Sequence, residues 1–404
     1  MTLEGYHVYP REMNPPSDPI AAVTHPDPYP FYADLVAKQP LYSDDALGLW
    51  VAAGAEAVTA VLTSELCRVR PPAEPVPKTL LGSPAGEVFR HLVRMNDGRG
   101  HCPFKQAVSA ALESLGPVQV AERSRLWANR LAEEIGPAAD PGRLAEFAFH
   151  LPVVVVASLL GVPEEMLPQT ALWTSDFVPS IAPGCGPEPL ERGKEAAGHL
   201  LALFRSLLAA NPEGPAAGLL AILAREAERL GCDDADVIAA NGVGLLFQAH
   251  DATAGLIGNS LLALARFHDT LAQATVDLSL LRQVVLEVLR YDPPVQNTRR
   301  FLARDGIVAG RAMREGDAIL VVLAAANRDP AANPDPERFD LFRNNRRIFT
   351  FGAGVHGCPG DALATTIAEA GVAQLLLNRF YVQGFAEALI YRPSANVRIP
   401  FAEA

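Results

Sequence analysis

The stretch FGAGVHGCPGDALA, residues 351–364, decides how this 404-residue chain is read. Glycines at 352, 354, 357 and 360 bracket one cysteine, Cys358, and a helical run begins near Gly360. A thiol at a helix N-terminus meets backbone N–H donors and the positive end of the dipole, which favour the thiolate. The glycines let the backbone approach a flat ligand closely. Together they predict a thiolate held for a metal. The other cysteines, Cys67, Cys102, Cys185 and Cys232, lack the paired short spacing of a zinc site or disulfide framework. They are expected as small buried side chains in a reducing compartment.

Upstream, the clearest single element is DVIAANGVGLLFQAHDATAGLIGNSLLALARFHD, residues 236–269, preceded by the acidic cap of Asp233 and Asp234. It predicts a helix long enough to cross the whole molecule. Its centre is unusual, because Gly242, Gly244, Gly255 and Gly258 weaken a helix and His250 and Asp251 interrupt an apolar stretch. That combination calls for a packing or functional reason.

Residues 1–35 are rich in proline and aspartate and are expected as an arm without long elements. Residues 41–54 read as a short hairpin, and two irregular segments, Arg70 to Gly86 and residues 178–189, interrupt a middle that is nearly all helix. The apolar run LPVVVVASLLGVP, residues 151–163, is too short to span a bilayer and reads as a buried helix. After residue 280 come a helix (LLRQVVLEVLRYD), β-like pieces and a proline-rich meander. With no linker and no repeat, residues 1–404 are expected as one mainly α unit.

A net charge of −12 and the absence of a basic run exclude nucleic acid as a partner. The first residues, MTLEGYHVYPREMNPP, carry acids and prolines where a secretory signal needs an unbroken apolar run. A cytoplasmic protein with no membrane partner is expected.

The 351–364 segment resembles the haem-binding loop of the cytochromes P450, with Phe351, Gly352, Gly354, His356, Cys358, Gly360, Leu363 and Ala364 in the family's positions. The resemblance extends over nearly the whole chain, including LLGVP at 159–163 and AANRDP at 325–330. It implies the mainly α P450 fold with a long central helix and a small β portion. It also implies haem b (iron protoporphyrin IX) between that helix and the cysteine loop. Cys358 would be the axial ligand, with Phe351, Gly352 and Ala249 against the haem and His356 reaching a propionate. Glu287 and Arg290, spaced i, i+3, match the family's structural Glu-x-x-Arg pair, with Arg338 as the third member. Arg300 matches a propionate-pairing arginine, and Arg299 competes for the role by a one-residue shift. His101 and Lys105 resemble the family's His-x-x-x-Arg element.

Three departures stand out. Lys105 replaces an arginine and cannot make the planar bidentate pair. Ile348 stands where the family commonly has a histidine. Ala252 replaces the threonine whose hydroxyl helps deliver protons during oxygen activation. By resemblance, the reaction is monooxygenation of a small to medium hydrophobic molecule with O2. Asp251 would route protons, and electrons would come from a ferredoxin and its reductase. In place of the hydroxyl absent at Ala252 stand three alternatives: a water or substrate hydroxyl, Thr253, or peroxide use or atypical chemistry. Rival readings are an atypical P450 forming a ring or C–C bond, and a non-catalytic haem sensor or carrier. Lys105, Arg343, Arg346 and Arg347 are read either as a basic docking face or as solvated surface. The expected pocket walls are the two irregular segments, Leu246, Phe247 and His250 on the long helix, and Val295, Gln296 and Asn297. His250 either orients a polar substrate group or is simply hydrogen-bonded within the helix.

Overall fold

The long helix runs Ala235–Arg266, and the Asp234 side chain accepts from the backbone N–H groups of Asp236 and Val237 at its start. Its glycines serve packing. A Cβ at Gly255 would lie 2.8 Å from Pro294 Cβ and 2.9 Å from the Arg398 carbonyl oxygen, and one at Gly258 would lie 2.6 Å from Pro400 Cγ. The chain around these positions can approach only because no side chain is there.

The computed structural model describes residues 14–98, 101–182, 184–210 and 218–402. Helices Leu144–Leu160, Pro187–Ala210, Leu281–Tyr291 and Asp361–Leu377 pack against the long helix, which is buried over most of its length. The apolar run falls in Leu144–Leu160. Residues 141–160 are long and apolar enough to cross a membrane by length and composition, but 67% of that window is buried inside the protein, as a core helix is.

The β portion is small. Strands β1 (Leu41–Asp44) and β2 (Leu49–Ala52) form the expected hairpin, paired Leu41 to Ala52. With β3 (Cys67–Arg68), β4 (Thr298–Leu302) and β7 (Ala318–Val321) they make one sheet in the order β1-β2-β7-β4-β3. β5 (Gly306–Val308) pairs with β6 (Arg311–Met313), and β8 (Leu389–Tyr391) with β9 (Pro400–Ala402).

Two expectations need correction. The arm is not without regular structure from Tyr29 on, where helix Tyr29–Lys38 begins and buries Tyr29 and Tyr32 against the sheet. Pro30 near its start costs no helical hydrogen bond there. Within 178–189, helix Leu167–Ser180 still runs to Ser180 and the next helix begins at Pro187, so both ends of the segment are helical.

Candidate active site

Gly352 and Gly354 adopt left-handed backbone (φ 72° and 66°), which a side chain would strain. The Cys358 N–H donates to Phe351 O at 2.8 Å, closing the loop just ahead of helix Asp361–Leu377. The Gly360 N–H donates to the thiol. Burial pushes the Cys358 thiol up, against that N–H and the positive charges of Lys105 and Arg94. Ligation to a metal overrides this, because a coordinating thiol is deprotonated. Cys358 and Arg94 are both surface-accessible although protein surrounds each of them. The two facts agree if the side chains face an internal chamber.

The long helix is tied to the same region. The turn Val93–Met95 is pinned to it, with Val93 N–H donating to Asn241 Oδ1 at 2.8 Å, and Arg94 in that turn feels the charge of Cys358. From Asn241 the helix places Leu245, Gln248, Ala249 and Ala252 on one face, and these keep partial exposure amid buried neighbours. Beside the thiol lies a cluster of basic groups. Lys105 Nζ donates to Gly357 O at 2.6 Å, and the His101 and His356 rings lie 4.4 Å apart. His356 Nε2 is 3.0 Å from Asp97 Oδ1. Arg300 is 6% exposed and within reach of the Arg94 charge. His101 is 2% exposed with neither ring nitrogen hydrogen-bonded, and burial with the charges of His356 and Lys105 lowers its pKa to about 4. Unsatisfied buried nitrogens amid excess positive charge fit a bound dianion. The propionates of a haem ligated by Cys358 meet that description. Phe351, Gly352 and Leu363 are partly exposed in the same loop and helix.

β4 separates the two arginines. Alternation puts Arg299 on the exposed face and Arg300 inside. Ile348 packs against the core and offers no replacement for the missing histidine.

The structure keeps Glu287 and Arg290 together but corrects the third member. Both are fully buried, with Arg290 Nη2 2.7 Å from Glu287 Oε1. The arginines that reach Glu287 are Arg346 at 2.8 Å and Arg343 at 3.4 Å. Arg338 contributes only its carbonyl, which accepts from Arg290 at 3.0 Å, while its side chain is 72% exposed and turned to Asp340. The meander curls so that its backbone, not that side chain, faces the pair. The same geometry corrects the docking face. Arg343 and Arg346 are spent on Glu287, Lys105 turns inward to Gly357 O with donors left over, and Arg347 alone of the four is exposed.

Most expected pocket residues turn away from the chamber. Leu246 is sealed, Phe247 meets Phe177 edge-on at 5.6 Å, and His250 stacks on Phe149 at 4.7 Å. One residue turns about 100° around a helix, so the accessible face is 245, 248, 249 and 252 instead. Thr253 is 1% exposed with its hydroxyl unpartnered, and does not open beside Ala252. Gln296 accepts from Tyr32 and donates to Pro293 O, and Asn297 donates to Ala395 O, so both are structural. Val295 keeps partial exposure. Asp251 sits 2.7 Å from His250 Nδ1 and 3.6 Å from Arg392. Sequence reading missed Arg94 and Arg392, since a lone arginine in a loop or at a strand end carries no pattern.

The Cytochrome P450 family model matches residues 238–384. The 6-deoxyerythronolide B hydroxylase of Saccharopolyspora erythraea is 30% identical over 391 residues, 93% of this chain and 94% of that protein. The biotin biosynthesis cytochrome P450 of Bacillus subtilis (strain 168) is 28% identical over 360 residues, covering 87% and 88%. Among solved structures, P450BioI in complex with hexadec-9Z-enoic acid ligated acyl carrier protein superimposes with a TM-score of 0.79 at 25% identity, covering 93% of this chain and 99% of that one. A cysteine loop, a basic cluster and a long helix around one chamber thus coincide with a relationship running through nearly the whole chain, and the chain belongs to the cytochrome P450 family of haem-thiolate monooxygenases.

Proposed function

We propose that the chain carries haem b and hydroxylates a small to medium hydrophobic molecule. R–H, O2, two electrons and two protons give R–OH and water. The observation that carries this reading is an accessible Cys358 beside the charges of Arg94 and Lys105, with a partly exposed face of the long helix tied to the same turn. Cys358 is the iron ligand, and His101, Lys105, Arg300 and His356 hold the propionates. Bound there, haem supplies the oxygen and redox chemistry, with the thiolate favouring O–O cleavage.

The chain's own residues do the rest. Leu245, Ala249, Ala252 and Val295 exclude water and offer an apolar wall, with Gln248 the polar group on that helix face. Asp251 moves protons inward from the Arg392 side. With alanine at 252 and Thr253 sealed, a water or a substrate hydroxyl completes the path. Electrons come from a ferredoxin and its reductase. Cytoplasmic residence agrees with Cys67, Cys185 and Cys232 being free thiols. A peroxide-driven reaction is the second reading, favoured by Ala252, and turnover with hydrogen peroxide but not with a ferredoxin system would select it.

The first test is the carbon monoxide difference spectrum of the dithionite-reduced holoprotein. The expected result is a Soret band at the strongly red-shifted thiolate position, absent from Cys358→Ala. A band at the ordinary histidine-haem position, or no haem at all, would overturn the reading.

A further inference from the structure

His250 and Asp251 form a chain of contacts from the protein surface to helix Leu167–Ser180. His250 Nδ1 lies 2.7 Å from Asp251 Oδ1, and its Nε2 lies 3.2 Å from Ser175 Oγ. The ring is 3% exposed and stacked on Phe149 at an interplanar angle of 24°. The same Asp251 oxygen is 3.6 Å from Nη1 of Arg392, a half-exposed side chain that lies 5.1 Å over the Phe149 ring.

One carboxylate oxygen therefore has two claimants, an internal imidazole at hydrogen-bond distance and a surface guanidinium just beyond it. The partners set the tautomer: Nδ1–H donates to the carboxylate and Nε2 accepts from the Ser175 hydroxyl. Neighbouring residues on a helix do not ordinarily face each other, so this contact requires both side chains to bend together.

We propose that His250 is a positioning residue for proton delivery, keeping the Asp251 carboxyl from closing fully onto Arg392 while Ser175 fixes the imidazole. This rests on Asp251 being the acid of the reaction. Asp251 releases its proton to water in the chamber and takes another from solvent on the Arg392 side. Only O–H bonds are broken and made. Without His250 the carboxylate closes onto Arg392, and the inward transfer slows.

The test uses the holoenzyme reducing O2 with NADH through a ferredoxin and its reductase, with no organic substrate. Oxygen leaves either as hydrogen peroxide, with two electrons and two protons, or as water, with four of each. His250→Phe keeps a ring against Phe149 and loses both nitrogens. It is expected to slow NADH oxidation about tenfold, as loss of one hydrogen bond to a charged group would. It should also raise the solvent deuterium isotope effect and the peroxide share. His250→Gln, which can donate and accept, should restore most of the rate, and Ser175→Ala should shift the isotope effect the same way by less. The carbon monoxide spectrum should stay constant throughout. A wild-type isotope effect in His250→Phe beside an impaired Asp251→Asn overturns the proposal and spares the acid. A wild-type Asp251→Asn removes the acid and the proposal with it. If His250→Phe fails to hold haem, Ser175→Ala decides, and a wild-type isotope effect there counts against the proposal.

Discussion

His101 shows how a single side chain reports the site. It is buried against His356 and Lys105 with no partner for either nitrogen, which lowers its pKa to about 4. In the unfolded chain the same imidazole takes a proton near pH 6.5. As pH falls through that window the unfolded state binds the proton first, so the apoprotein loses stability between about pH 6.5 and 4. The loss is on the order of 1 kcal/mol per pH unit. Urea unfolding of the apoprotein at pH 7 and pH 5 is expected to show this, and His101→Phe should flatten the difference. A variant with the wild-type pH slope would mean that His101 titrates normally in the fold. His101 and Lys105 were legible only through their resemblance to the family's His-x-x-x-Arg element. Arg94 was not, because its place near Cys358 depends on the turn Val93–Met95 being tied to Asn241, 148 residues away.

At the scale of an element, helix Leu281–Tyr291 is fixed to the meander by one buried carboxylate. Glu287 accepts from Arg290, Arg343, Arg346 and the Asp340 N–H. Removing one partner of a buried ion network leaves charge uncompensated and costs about 3–5 kcal/mol. Glu287→Ala is therefore expected to lower the thermal midpoint steeply. Arg338→Ala, at an exposed position, should stay within about 0.5 kcal/mol of wild type. Equal losses in the two variants would reinstate Arg338 as a member of the network. The Glu-x-x-Arg pair was readable through its resemblance to the family's motif, with i and i+3 on one helix face. Which meander arginine completes it was not, since Arg338, Arg343 and Arg346 are alike in sequence and differ only in how the loop folds back. The long helix repeats the lesson. Its extent and cap were legible, but one residue of rotation separates the expected wall at 246, 247 and 250 from the accessible face at 245, 248, 249 and 252.

Across the whole molecule, Arg398 locks the segment around Val23–Tyr29 to Asp292. Arg398, fully buried, donates to the carbonyls of Val23, His25 and Pro26 and pairs with Asp292 at 2.9 Å, and Tyr29 OH donates to the same carboxylate at 2.6 Å. The guanidinium satisfies three carbonyls of a segment with little regular structure, which would otherwise lose partners on burial. Arg398→Ala is expected to cost several kcal/mol, about what breaking a buried pair costs. It should also make the arm the first site of limited proteolysis. An arm that resists cleavage as in wild type would show that Tyr29 and Tyr32 hold it unaided.

The sequence by itself determined the mainly α class, the long capped helix, the hairpin and the cysteine loop. These rest on local patterns: helical periodicity, an Asp cap, and glycines at positions of positive φ. Tertiary structure alone decided which side chains face the chamber, which arginines meet Glu287, and that Asp251 is shared between His250 and Arg392. Those choices depend on helix rotation and loop closure among segments far apart in the chain, and no local pattern encodes them.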